Sequence, residues 1–257
     1  MKFFVCSDIH SAFTPWMEAL NNAGFDENNP EHKIIVCGDL FDRMDESQKV
    51  YKFAKDMLEK DKLIYIKGNH ESLLVDCCKR GYPYGHDISN GTAATIYDLG
   101  YGLDVDEMCR YTMAKVRPLF DKMVNYFETK RYIFVHSWIA VINKDGLPAH
   151  YTRGRKFEWN PDWRNASQKE WDDATWGNPF DMAKQGFNKT EKTIVFGHWS
   201  TEYQWAKDEG RREFDSKAKF EPYYGDGFIG LDACTAYSGR VNMIVIEDEL
   251  LEDNNEQ

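Results

Sequence analysis

The chain has 257 residues, 42% hydrophobic and 15% aromatic, and carries a formal net charge of -11 at pH 7. That apolar content suffices for one sizeable core, read here as a single domain over residues 1–257. The acidity argues against a sequence-independent grip on nucleic-acid backbone, which rests on Lys and Arg. No run of 18 apolar residues occurs and "MKFFVCSDIH" soon meets a charge, so neither a membrane span nor a secretory leader is expected.

The first 75 residues read as β-α-β-α-β. Strand Lys2–Ser7 is followed by a helix from Pro15 to Ala23, strand Lys33–Cys37, a helix from Glu46 to Glu59 and strand Leu63–Lys67. Pro15 suits a first helical turn and Gly24 a helix end. Strands separated by helices imply right-handed crossovers and a mainly parallel sheet. From Glu71 to Lys130 the pattern turns helical, broken by "KRGYPYGHDISNG" and Pro118, which defines an insertion near residues 76–130. Strand Arg131–Val135 leads into an aromatic stretch, 143–188, that is too long for a plain connection and reads as the rim or lid of a site. Strand Thr193–Phe196, a charged insertion over 200–226, and strands Phe228–Leu231 and Val241–Glu247 complete the chain, the last two read as a neighbouring pair in a second sheet. The tail "EDNNEQ" is expected to fray. Trp159, Trp163, Trp171 and Trp176 read first as core or lid packing, with a base-stacking platform as the alternative.

Six cysteines (Cys6, Cys37, Cys77, Cys78, Cys109, Cys234) show no metal-type spacing, which points to free buried thiols in a reducing cytoplasm. A redox pair at Cys77 and Cys78 is the alternative, without an activating base nearby in sequence.

Five apolar strands each deliver a metal-competent side chain at their C-terminal end. These are "FFVCSDIH" with Asp8 and His10, "VCGDLFDR" with Asp39 and Asp42, "LIYIKGNHE" with Asn69 and His70, "YIFVHSW" with His136 and "TIVFGHW" with His198. Each has a plain explanation alone: Asp39 or Asp42 as a helix cap, Asn69 as a turn residue, Glu71 as the cap of the following helix, a lone histidine as a satisfied polar group. Their recurrence at the edge where open α/β sheets bind ligands is what overrides those explanations. The first three motifs lie about 30 residues apart, the length of one βαβ return. Hard oxygen donors with imidazole suit manganese, iron or zinc.

Taken in order, "DIH", "GDLFDR", "GNHE", the strand ending in His136 and "FGHW" resemble the five motifs of the calcineurin-like metallophosphoesterases. "GDLFDR" with "GNHE" resembles the phosphoprotein phosphatase branch, which includes bacterial and phage serine/threonine phosphatases and symmetrical diadenosine tetraphosphate hydrolases. "WMEALNNAGFD", "TWGNPF" and "GLDACTAYSGRVNMIVIED" extend the resemblance over nearly the whole chain. It implies an α/β fold, a four-layer α-β-β-α sandwich with two mixed sheets and helical and loop insertions. It also implies two divalent metal ions, manganese first, with iron or zinc as alternatives. Asp8 and His10 would hold one ion, Asp39 would bridge, and Asn69, His136 and His198 would hold the other, with a shared hydroxide attacking phosphorus. Arg43 would clamp phosphate with Asn69 and Lys67 as further substrate contacts, His70 would protonate the leaving oxygen, and Asp42 would orient His70.

The expected activity is phosphomonoester hydrolysis, foremost on phosphorylated protein or peptide at serine or threonine. Hydrolysis of dinucleoside polyphosphates or other nucleotides is the enzyme alternative, and a non-catalytic scaffold is the alternative of another class. The chain departs from the family pattern at Ser11 and Met44, where glycine is usual, and at Lys67, where many protein phosphatases carry arginine. A second phosphate-binding arginine has three candidates, Arg153, Arg155 and Arg164.

Overall fold

The structure is a computed structural model that describes residues 1–148 and 155–251. Arg153 and the tail expected to fray lie outside the described residues. The chain opens with β1 (Lys2–Cys6), α1 (Phe13–Ala23), β2 (His32–Val36), α2 (Ser47–Glu59) and β3 (Leu63–Tyr65), and the three strands run parallel. The helical insertion comprises α3 (Asn69–Arg80), α4 (Gly85–Asn90), α5 (Thr92–Leu99) and α6 (Val105–Phe120). Pro118 falls in the last turn of α6, where it ends the helix rather than interrupting it.

The second half contains β4 (Phe127–Glu128), β5 (Tyr132–Phe134), a hairpin of β6 (Val141–Asn143) and β7 (Phe157–Trp159), and the helices α7 (Gln168–Thr175) and α8 (Pro179–Lys184). It ends with β8 (Thr193–Phe196), α9 (Thr201–Glu209), β9 (Tyr223–Gly225), β10 (Phe228–Gly230), α10 (Thr235–Ser238) and β11 (Ile244–Glu247). Two mixed sheets result, ordered β11-β1-β2-β3 and β4-β5-β8-β10-β9.

The period-2 alternation of the strands explains the layering. In β1, Phe4 and Cys6 face a core shared with α1 and α2, where Trp16 and Leu20 are buried, whereas Phe3 and Val5 face the opposite way. Phe3 and Val5 meet Phe134 of β5 and Val195 of β8 in a core between the sheets. Ile133, Ile194 and Phe196 point outward again, against Trp163, Trp171 and Phe180. The layers are therefore helix, sheet, sheet and helix.

One expectation needs correcting. β10 lies parallel to β8 in the second sheet, but β11 pairs antiparallel with β1 in the first. Ile244 and Ile246 of β11 enter the inter-sheet core while Val245 and Glu247 face solvent, so burying the apolar face of this edge strand selects its sheet. Trp163 and Trp171 are buried and packed on Tyr126, whose ring stacks on Trp171 at 5.3 Å, so these two build the outer core, whereas Trp176 is half-buried with its ring 6.5 Å from that of His198. Cys6, Cys37, Cys77, Cys78 and Cys234 form no disulfide, and burial pushes the Cys77 and Cys78 thiols up to about 12, the reverse of an activated pair. No helix among the described residues is long and apolar enough to cross a membrane.

Candidate active site

Both sheets present the C-terminal ends of their parallel strands to one place. Asp8 and His10 follow β1, Asp39, Asp42 and Arg43 follow β2, Asn69 and His70 open α3, and His136 and His198 follow β5 and β8. Asp8, His10, Asp39, Asp42, Arg43 and His198 all have left-handed backbone, with φ between 50° and 76°. Such residues cost of order 1–3 kcal/mol each and persist only where their surroundings hold them.

The Glu71 carboxylate supplies much of that hold. It accepts the N–H groups of Asp39 (3.0 Å), Leu40 (2.9 Å) and Gly68 (2.7 Å) and the Tyr65 hydroxyl (2.7 Å), so it both caps α3 and braces the loop after β2. Gly38 has φ +82°, and a Cβ there would lie 2.4 Å from Nδ1 of His136, so its bareness admits that ring under the loop. Ser11 accepts φ +60° and its hydroxyl meets Ser47 Oγ at 2.9 Å. Met44 is absent from the left-handed set, and its N–H donates to the His10 and Asp42 carbonyls, so this position makes no demand for glycine.

The donor atoms form two groups that share Asp39. His136 Nδ1 lies 2.8 Å from the Cys37 carbonyl, which can only accept, so Nδ1 carries the hydrogen and Nε2 presents a lone pair. That lone pair faces Asn69 Oδ1 at 2.8 Å and His198 Nδ1 at 3.2 Å, with Asp39 Oδ1 at 3.5 Å. His10 repeats the device, with Nδ1 on the Phe41 carbonyl at 3.0 Å and Nε2 turned to Asp39 Oδ2 at 3.8 Å and Asp8 Oδ1 at 4.0 Å.

Burial holds His136 down at about 3 and keeps His10 and His198 well below the usual imidazole range, so all three rings are neutral. Burial, with neighbouring carboxylates, also raises Asp8 and Asp39 well above the usual range. Convergent lone pairs and crowded carboxylates fit divalent cations on both sides of Asp39.

His70 joins the first group by geometry, its Nε2 3.9 Å from Asp39 Oδ2 and its ring 4.8 Å from that of His10. Its Nδ1 meets Asp42 Oδ2 at 2.8 Å, and its Nε2 lies 3.3 Å from the Arg43 guanidinium. Asp42 is held in turn by two hydroxyls that the motifs do not reveal, Thr92 on Oδ2 (2.6 Å) and Thr95 on Oδ1 (2.8 Å).

These groups open into a cavity of about 440 Å³ lined by His10, Asp39, Arg43, Asn69, His70 and His198, with Trp199, Asp232, Thr235 and Tyr237 on its remaining walls. Asp232 is a site residue that the sequence reading misses. Burial pushes its carboxyl up to about 6, and its Oδ1 accepts the Cys234 N–H at 2.6 Å. The available signal was the same as at Asp8, a carboxylate two residues beyond an apolar strand.

Among the described residues lining the cavity, Arg43 is the only Arg or Lys. Lys67, expected as a substrate contact, instead pairs with Asp172 at 2.9 Å and is not among the lining residues. Arg155 pairs with buried Asp173 at 2.7 Å and Arg164 grips Glu128 with two bonds, so neither takes the place expected of a second phosphate-binding arginine. In each case a carboxylate brought near by the fold claims the cation.

The family model of the calcineurin-like phosphoesterases matches residues 1–215. The chain belongs to this family. Membership makes this calcineurin-like phosphoesterase a hydrolase of phosphate esters and implies divalent metal ions. The asymmetrical bis(5'-nucleosyl)-tetraphosphatase PrpE of Halalkalibacterium halodurans is 24% identical to it over 198 residues, 66% of this chain and 76% of the relative. Two solved structures share the fold: a candidate diadenosine tetraphosphatase (TM-score 0.51, 15% identity, 95% and 89% of the two chains) and a cold-active protein-tyrosine phosphatase from a psychrophilic Shewanella (TM-score 0.53, 14% identity, 96% and 75%). A binding-only scaffold has no support from this membership.

Proposed function

We propose that this calcineurin-like phosphoesterase hydrolyses nucleotide phosphate bonds, dinucleoside polyphosphates first, at a centre for two divalent ions. The observation that carries the dinuclear reading is Asp39, whose two carboxylate oxygens face two separate groups of lone pairs. Asp8 and His10 would hold one ion with Asp39, and Asn69, His136 and His198 the other. The oxygen and imidazole donors suit manganese, then iron or zinc. Such ions supply a water acidic enough to attack phosphorus near neutral pH and offset phosphate charge.

Exposed Arg43 stands at the mouth to bind phosphate oxygens. As the attacking water forms its bond to phosphorus, the phosphorus–oxygen bond to the leaving group breaks. A His70 imidazolium would give its Nε2 proton to that oxygen while Asp42 accepts from Nδ1, and the proton released by the water would restore it. The preference for nucleotides over a phosphopeptide reverses the order expected from the sequence. It is supported by a cavity of nucleotide scale with Trp199 and Tyr237 on its walls, and by the substrate class in the name of the bacterial relative. The "GDLFDR" and "GNHE" forms resemble a branch that holds both enzyme types, which keeps a serine/threonine protein phosphatase as the second reading. That Cys6, Cys37, Cys77, Cys78 and Cys234 form no disulfide supports a reducing, cytoplasmic setting.

The test is product release with manganese, zinc or no metal from four substrates: p-nitrophenyl phosphate, its bis ester, a phosphoserine peptide and diadenosine tetraphosphate. A kcat/KM at least about tenfold higher on the dinucleotide than on the peptide supports the proposal, and the reverse order replaces it with the protein phosphatase reading.

A further inference from the structure

Threonine hydroxyls inside a helix ordinarily bond a carbonyl one turn back or face solvent. Thr92 and Thr95 do neither: both are fully buried and reach across 50 and 53 residues of sequence to Asp42. Thr92 donates to Oδ2, the oxygen that also meets His70 Nδ1. Thr95 donates to Oδ1, and its oxygen accepts the backbone N–H of Asp42 at 3.0 Å, so one side chain closes a ring with the residue it holds. Gly91, just before this helix, lies so close that a Cβ there would fall 2.1 Å from the Arg43 nitrogen. The start of α5 is thus moulded to the loop that carries Asp42 and Arg43.

We propose that Thr92 and Thr95 are positioning residues that fix the Asp42 carboxylate, and through it the His70 ring, in the orientation needed to protonate the leaving oxygen. The inference rests on the reading of His70 as the acid. Asp42 has φ +76°, and a carboxylate held only by His70 could rotate with the ring, whereas three donors on two oxygens leave it one orientation. The helical insertion then supplies part of the acid apparatus without touching metal or substrate.

The experiment compares phenyl phosphate with p-nitrophenyl phosphate, which share a ring but differ in how much the departing oxygen needs a proton. In Thr92→Val and Thr95→Val, kcat for phenyl phosphate should fall about tenfold while that for p-nitrophenyl phosphate stays within about twofold, with KM and metal content unchanged. Thr92→Ser and Thr95→Ser, which keep the hydroxyl, should restore it. An equal loss on both substrates, or no loss on either, overturns the inference. Where Thr95→Val does not fold, Thr92→Val carries the test, since it removes one bond and keeps the volume. His70→Asn, measured alongside, should show the same leaving-group dependence in larger measure. If it loses both activities equally, the acid reading fails and takes the inference with it; if it alone is selective, only the inference fails.

Discussion

Replacing Glu71 by glutamine is the sharpest test of what holds the loop after β2 against the start of α3. The side chain is 1% exposed and its two oxygens accept four donors, Leu40 N–H and Tyr65 O–H on one, Asp39 N–H and Gly68 N–H on the other. Glutamine keeps the shape but must turn an NH2 group towards one of those pairs. Facing Asp39 and Gly68 it would orphan two amides. Facing Leu40 and Tyr65 it orphans one, because the phenol can rotate and accept. The second arrangement costs about 1–3 kcal/mol for the orphan and about 1 kcal/mol for each remaining bond that changes from charged to neutral. Relief of the repulsion between Glu71 and Asp39 offsets part of this, so Glu71→Gln should destabilise by about 3 kcal/mol.

In a chain of this size that loss lowers Tm by roughly 6 °C. Thermal and urea unfolding in excess chelator reads the chain's own stability without the contribution of bound metal. A loss below about 1 kcal/mol would refute the view that this one carboxylate braces both loops.

On the proposed dinuclear reading, Asp39→Asn should leave fewer bound ions per chain than the parent, read by elemental analysis, and lower kcat by about three decades, since both groups of donors would lose the carboxylate they share. Gly91→Ala should keep the fold by circular dichroism yet cut kcat/KM about tenfold, because the added carbon meets backbone that cannot give way without moving Arg43; full activity would contradict the close seating of α5. The remaining prediction concerns acid stability. Burial pushes the Glu128 carboxyl up, but its pairs with Arg164 and Lys192 outweigh this and hold it below the ordinary 4.5. Its contribution is therefore fully present above about 4.5 and lost as pH falls through the folded-state value, so urea midpoints of Glu128→Gln and the parent should converge on acidification.

Much of the site was legible because its residues are written next to the strands that carry them. Asp8, Asp39, Asn69, His136 and His198 each follow an apolar run, and parallel strands returning every thirty residues or so bring such ends together whatever the details of packing. The bracing by Glu71 was half legible. Its place three residues after Gly68 marks a helix cap, but its bonds to Asp39 and Leu40 cross 32 and 31 residues.

What the chain could not disclose locally is of one kind. Thr92 and Thr95 sit in an unremarkable stretch, "GTAATIYDLG", and gain a role only because α5 is folded against the loop after β2. Lys67, Arg155 and Arg164 look alike as free cations in sequence, and the fold places Asp172, Asp173 and Glu128 beside them. β10 and β11 read as partners until the buried faces of the two sheets separate them. By itself the sequence determined donor type and strand-end position, which depend on neighbours in the chain. Only the tertiary structure decided where each long charged side chain points and which sheet an edge strand joins, since those depend on charges and apolar faces that lie far away until the chain has folded.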